Sequence, residues 1–313
     1  MAETEQPTRQ RMDAIFESTK NWGRWGKDDE RGSLNLITPE RRRAGATCVR
    51  AGVSVSCARD LPVAPAADNP HPALHMMIQG GDDCVIEGFG FESTTDFVGV
   101  AFHGMSTSHL DALCHVFVDG CMYNGFAGSE VKSTGARRGS VMAAKDGIVS
   151  RGVLLDIPRL VGRPWLELRE LIHPEQLEAA ATTQGVAPES GDVLLISTGR
   201  DARRAETGPW NPIEEGFAGL HPECLPWLHE RGVAVLGSDG ISDMLPGLGI
   251  PNWPMPIHQV GLVGMGMHLF DNLKLDELSA ACAEHGHWDF QFAAAPLRVE
   301  RGTGSPVNPV AVL

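Results

Sequence analysis

Apolar and polar residues alternate in VSVSCARDL, residues 53–61, the pattern of a half-buried strand. GVLLDI at 152–157 and GDVLLISTG at 191–199 have no polar face, which suits strands buried on both sides. Further strands are expected at Cys84–Phe91, at Asp96–Phe102, in VAVLGSDG (233–240) and in WDFQFAAAPLRVE (288–300). Helices are expected at Met12–Lys20 and from Thr38-Pro39-Glu40 through Arg50, where Pro39 takes a first-turn position that needs no amide hydrogen. A third spans about 174–184, with good helix formers between Pro174 and the stop at Gly185. HPECLPWLHERG and LKLDELSAACAEHG add two more. Residues 62–83, rich in Pro, Ala, Asp, Asn and Gly, read as a long surface loop. Strands and helices are mixed without strict alternation, and no repeat or low-complexity linker divides the chain. The pattern predicts an N-terminal arm at 1–20 and one α/β domain at 21–313.

Composition narrows the classes. Apolar residues at 42% and charged residues at 21% are ordinary for a globular protein. The net charge of −14 is spread along the chain, against the basic face that nucleic acid or an anionic membrane requires. No stretch approaches the roughly 20 apolar residues of a membrane span, and the polar start lacks a signal core, so cytoplasmic residence is expected. Seven cysteines, an odd number with no CxxC pair, read as structural thiols in a reducing compartment.

The chemistry concentrates in HGMSTSHLDALCH, residues 103–115, which gathers His103, His109, Asp111 and His115 among small and apolar side chains. Alternate residues of an extended segment share a face, so His109 and Asp111 can address one centre. If the chain turns helical after Asp111, His115 comes round at i+4 and can join them. His103 has the parity of His109, but six extended residues span ~20 Å. It joins only if Gly104, Ser106 and Thr107 bend the chain. Met105 carries a soft thioether, better suited to copper(I) than to zinc or manganese. Buried polar groups need partners, so the cluster points to a metal or catalytic site. No phosphate loop, dinucleotide fingerprint or GxSxG elbow competes with it.

The stretch resembles the signature HxGTHxDxPxH of the metal-dependent cyclase hydrolases, a family that includes bacterial kynurenine formamidases and isatin hydrolases. His109, Asp111 and His115 match; Met105 stands at the first His, Thr107-Ser108 at the Gly-Thr pair and Leu113 at the Pro. KDDERGSLNLITPE, VFVDGCMYNG, GVLLDI, GDVLLISTG and VLGSDGISD look like the longer branch of the family, so the likeness runs from about Trp22 onward. It implies a single α/β domain of the swivelling β/β/α type, a divalent metal (Zn or Mn) and a homodimer or homotetramer. It makes His109 and Asp111 ligands and His115 the proton-transfer residue. In PIHQVGLVGMGMHLFDNLKLDEL it offers His258 as a further ligand, with Asp271 thirteen on where the family usually has Glu, and His268 as a competitor. The set is then His103, His109, Asp111 and His258, or the last three alone. The implied activity is hydrolysis of a C–N amide bond in a small-molecule aryl formamide or cyclic amide. A cyclase or lyase, or a non-catalytic binding relative, are the alternatives. The resemblance also puts the loop of Trp22, Trp25 and Asn35 at the pocket border, the alternative being surface tryptophans that pack a terminal arm on a neighbouring subunit. Tyr123 and Asn124 either line the pocket or pack, and Asp239 and Ser242-Asp243 are either a functional strand end or a turn.

Overall fold

The computed structural model describes residues 7–82, 85, 86, 88 and 90–313, and one nine-stranded sheet organises them. The strands used below are β1 (Ser54–Ser56), β2 (Leu74–Gln79), β3 (Thr95–Gly99), β4 (His109–Asp111), β5 (Ile148–Asp156), β6 (Val193–Ser197), β7 (Val235–Ser238), β8 (His268–Asp271), β9 (Asp289–Ala294), β10 (Gly304–Pro306) and β11 (Val310–Val312). The order across the large sheet is β1-β11-β9-β5-β6-β7-β8-β4-β10. The central β5, β6, β7 and β8 run parallel, and the flanking strands are antiparallel.

Helices are α1 (Arg9–Thr19), α2 (Pro39–Thr47), α3 (Pro174–Gln184), α4 (Arg200–Thr207), α5 (Cys224–Glu230) and α6 (Asp276–His285). The two-residue period of the strands divides the apolar side chains between two cores, one on each face of the sheet. Val153, Leu155, Leu194, Ile196, Leu236 and Leu269 enter one core, with α1, α3 and α5. Leu154, Val193, Leu195, Val235 and Phe270 enter the other, with Phe290 and Phe292 of β9. The unbroken apolar runs therefore lie where burial on both faces demands them. The architecture is a mixed α/β domain. Within it α1 buries Met12, Ile15 and Phe16 in the first core. α2 lies close enough on β5 that a Cβ at Gly45 would sit 2.6 Å from the backbone of Ser150.

Several expected boundaries shift. The helix expected to reach Arg50 stops at Thr47, and the strand expected over 53–61 covers only Ser54–Ser56. The strand expected at Cys84–Phe91 is instead a hairpin of Val85–Ile86 with Phe91–Glu92, while Cys84, Glu87 and Phe89 lie outside the described residues. Inside the expected loop 62–83, Leu74–Gln79 forms β2 and pairs with β3 as a ribbon apart from the main sheet. Its partner lies about twenty residues away, a pairing that local composition does not register. All six described cysteines are unpaired thiols, and no described helix is long and apolar enough to cross a membrane.

Candidate metal centre

The centre is built outward from β4, which lies between β8 and β10. His109 and Asp111 are two apart, and Asp271 of β8 stands opposite His109 in the antiparallel register. Their three side chains share one face of the sheet. His258 arrives from the helical turn Pro256–His258, which continues into a π-helix over Gln259–Met265. The carboxylate of Asp243 accepts from the backbone amides of Ile257 (2.8 Å) and His258 (3.0 Å) at the start of that turn. It also accepts from His258 Nδ1 at 2.7 Å, so the ring's other nitrogen is turned inward. There His258 Nε2 lies 3.2 Å from Asp271 Oδ2 and 3.5 Å from Asp111 Oδ2. On the other side, His109 Nδ1 donates to the Thr107 carbonyl at 2.8 Å, which leaves Nε2 3.4 Å from Asp111 Oδ1.

The chain between residues 103 and 107 is bent rather than extended. Arg200 donates to the Met105 carbonyl, and Asn272 Nδ2 donates to the carbonyls of Gly104 (2.7 Å) and Thr107 (3.3 Å). These anchors swing His103 back until Nδ1 is 3.0 Å from Asp111 Oδ1, with Nε2 against Thr303 Oγ1 at 3.1 Å. His115 stacks on the His103 ring, centroids 3.8 Å apart and planes within 2°. Thus His103, His109, Asp111 and His258 meet at one place with Asp271 added, and His115 stands beside them. His109, Asp111, His258 and Asp271 are each at most 3% exposed, whereas the His103 side chain is 28% exposed.

Four atoms of this cluster are buried without a hydrogen-bond partner: both oxygens of Asp111, Asp271 Oδ1 and His103 Nδ1. His103 Nδ1 and Asp111 Oδ1 are close yet poorly aligned to bond each other, as expected of two donors aimed at a third body. Buried polar groups are rarely left in this state. The donor atoms fall into two sets, His103-His109-Asp111 and Asp111-His258-Asp271, each with all atoms within 4.8 Å, and Asp111 belongs to both. Nitrogen and carboxylate oxygen are the donors that zinc and manganese accept. The residues fit a divalent cation.

The charges agree with that. Burial opposes protonation of His109, but Asp111, Asp271 and the Thr107 carbonyl push its pKa up to about 9. Burial likewise opposes a charged His258, and Asp271, Asp111 and Asp243 overcome it, raising the pKa well above the ordinary histidine range. Burial would raise the Asp111 pKa, yet His103, His109 and His258 hold it well below the carboxylate range. Without a cation, protons on the imidazoles balance the acids. Because the His109 pKa is raised from 6.5 to about 9, its stabilising proton is fully present below pH 6.5 and lost as pH rises towards 9. The melting temperature of chelator-treated protein is therefore expected to fall between pH 6.5 and 8.5, with the decline flattened by added metal. A metal-free protein with a level melting profile over that window would refute this charge balance.

His115 differs. Burial lowers its pKa, and repulsion from His103, His258 and His109 adds to this against the pull of Asp111. It is neutral at pH 7, with a lone pair free to take a proton.

The remaining sequence candidates separate. Met105 packs against the buried cluster of Trp210, Phe217, Ile241 and Leu245. His268 is on β8 but three positions from Asp271, so it points to the opposite face. There burial drives its pKa down to about 4, and neither ring nitrogen has a partner. Tyr123 is buried, donates to Asp29 Oδ2 at 3.0 Å and packs against Gly266. Asn124 donates to the carbonyls of Gly26 and Asp29, and Trp22 Nε1 donates to the Val263 carbonyl. These residues tie the loop of Trp22, Trp25 and Asn35 to the body. Asp239 accepts from the amides of Thr198, Gly199 and Arg200, which makes it the cap of α4. Thr303, beside His103, carried no sequence signal. Asp243 was one of two strand-end acids, and only its approach to His258 separates it from Asp239.

The Cyclase family model, described as "Putative cyclase", matches residues 52–242, about three-fifths of the chain. A crystal structure of a novel cyclase is 29% identical, with a TM-score of 0.84 over 94% of this chain and 99% of that one. Isatin hydrolase A from Labrenzia aggregata, bound to benzyl benzoate, is 21% identical with a TM-score of 0.58, over 85% of this chain and 94% of that one. Isatin hydrolase A from Ralstonia solanacearum is likewise 21% identical with a TM-score of 0.58, over 86% and 94%. These two share its fold. No curated protein matches the sequence.

Proposed function

The chain belongs to the cyclase family, and from that premise we propose that it is a metal-dependent hydrolase of a C–N amide bond, with an aryl formamide or a cyclic amide as substrate. His103, His109, Asp111 and His258 are its ligands, Asp271 is a further donor, and His115 is the proton carrier. The observation that carries the reading is the pair of donor sets joined at Asp111, in whose residues four buried polar atoms have no hydrogen-bond partner. Zinc or manganese suits the donor set. When bound, such an ion polarises a carbonyl and acidifies water.

The protein's own residues do the rest. His109 and His258 present Nε2 inward because the Thr107 carbonyl and the Asp243 carboxylate occupy their Nδ1 hydrogens. Asp111 presents both oxygens to the same space. His115, neutral and held against the His103 ring, accepts the proton of the attacking water on a ring nitrogen and returns it to the departing amide nitrogen. That return is the step that lets the C–N bond break, since an unprotonated amide nitrogen leaves poorly.

Metal analysis of protein purified without added metal is the first test. Near-stoichiometric zinc or manganese, with hydrolysis of N-formylkynurenine or isatin, is the expected result. Failure to retain or regain any divalent ion would remove the reading. Bound metal with neither substrate consumed would keep the centre and discard the substrate class. Asp243→Asn probes the orientation of His258. It keeps the shape but weakens the grip on the Nδ1 hydrogen, and outer partners of this kind are worth about 10–100-fold in metal affinity. A competition titration with a chelating dye checks it; unaltered affinity would mean that packing alone orients the ring.

A further inference from the structure

We infer that three arginines beside the candidate centre, Arg137, Arg298 and Arg301, bind an oxyanion carried by the substrate, a carboxylate or a phosphate. They line a cavity of about 620 Å³ with Ser140 and Glu300, a size that suits a small molecule. Among the described residues none of the three forms an ion pair, although Glu300 shares the cavity. Arg138, one position on, shows the usual fate of such a charge, 2.8 Å from Glu30. In the cavity beside Asn69 and Ser106, Arg59 and Arg204 are likewise tied to Asp201 and Asp68. The surrounding segment is cationic within a chain of net charge −14. Residues 131–145 include Lys132, Arg137, Arg138 and Lys145 and no acid.

The fold brings these groups together. The amides of Ala136 and Val141 donate to the carbonyls of Arg301 and Gly302, both at 2.9 Å, and strap residues 136–141 across the turn at 299–302. Gly135 permits the approach, since a Cβ there would lie 2.6 Å from Arg301 Cβ. Arg301 takes the third position of that turn at φ +63°, where glycine or asparagine is the easier choice. A bulky side chain held there against its backbone preference points to a use for the side chain. Guanidinium groups are planar forks that match the oxygens of carboxylates and phosphates. Ser140 starts the turn Val141–Ala144 with its hydroxyl not spent on capping it. The cavity adjoins the candidate centre. Thr303, two residues after Arg301, has its Oγ1 3.1 Å from His103 Nε2. Gly139, next to Ser140, accepts from the amide of Cys114, the residue before His115. His103 and His115 are the half-buried members of the cluster, so an anion on the arginines anchors the substrate at its open side. The inference rests on the hydrolase reading above and narrows it to amides that bear an acidic group, against uncharged ones such as isatin.

Titration calorimetry of inorganic phosphate and of benzoate into chelator-treated protein reads the site without metal or turnover. The wild type is expected to bind at least one of them, and the tighter of the two identifies the group. Arg137→Gln, Arg298→Gln and Arg301→Gly should each weaken that binding by about 10-fold, the lower end for a hydrogen bond to a charged group. Arg301→Gly should do so without lowering the melting temperature, because glycine accepts the left-handed backbone. Arg43→Gln, on the exposed side of α2, should change nothing. With metal, Arg301→Gly should raise KM for N-formylkynurenine by about 10-fold at constant kcat, yet leave KM unchanged when a carboxamide replaces the substrate carboxylate. Arginine-dependent anion binding in a protein that hydrolyses neither amide would keep the site and discard the hydrolase reading. An absence of anion binding, or equal binding by the variants, overturns the inference and leaves that reading intact. Arginine-dependent binding with KM unmoved for the charged substrate overturns its assignment to the substrate.

Discussion

Alanine in place of His115 is expected to lower kcat by about 10³-fold, in the middle of the range that a positioned proton carrier contributes. The protein should still hold its metal. His115 is beside the donor set but not in it: it stacks on His103, and it belongs to neither group of converging atoms. Its lowered pKa leaves it neutral at pH 7, the form able to accept a proton. Its removal should therefore separate catalysis from metal binding. The acidic limb of the pH–rate profile, where His115 becomes protonated, should disappear from the residual activity. Measuring kcat and metal content on the same preparation decides the matter. If metal is lost along with turnover, His115 is a ligand instead.

Asp111→Asn should act on the other half of that separation. Asp111 is the one residue common to both donor sets, and both of its oxygens lack hydrogen-bond partners. Asparagine keeps the size and shape but replaces one oxygen with a hydrogen-bearing nitrogen and removes the negative charge. Metal affinity should fall by more than about 100-fold, the upper range already seen for partners that merely support a ligand. Turnover should be lost with it. The metal-free variant should also lose the raised His109 and His258 pKa values that Asp111 helps to sustain. Proton release on metal addition, read by calorimetry in buffers of different ionisation enthalpy, would shrink accordingly. Retention of a full equivalent of metal would exclude Asp111 as the shared ligand.

The legible part of the fold was the part governed by local pattern. β6 and β7 lie within their expected apolar runs and α3 carries its stop in Gly185, whereas β5 contains the expected 152–156 but begins four residues earlier, at Ile148. The ribbon strand β2 was hidden because its flanks read as loop and its pairing partner is twenty residues distant. The candidate centre divides in the same way. His109 and Asp111 are two apart on a strand, so their shared face follows from the pleat. His258 came through the family likeness, not through spacing. His103 depended on a bend whose anchors, Arg200 and Asn272, lie about a hundred residues or more downstream. Asp243 and Asp239 look equivalent in the sequence, yet one orients a histidine and the other caps a helix.

The sequence by itself determined that strands and helices are mixed and that His109 and Asp111 face one way. These are short-range consequences of backbone geometry, and a window of a dozen residues contains all the atoms involved. Only the tertiary structure decided that His103 enters the cluster, that Asp271 stands opposite His109, that Asp243 holds the His258 ring, and that Asp111 joins two donor sets. Each of these depends on which strands become neighbours and on hydrogen bonds between distant segments. Such pairings are selected by burial of the whole chain at once, and no local pattern encodes them.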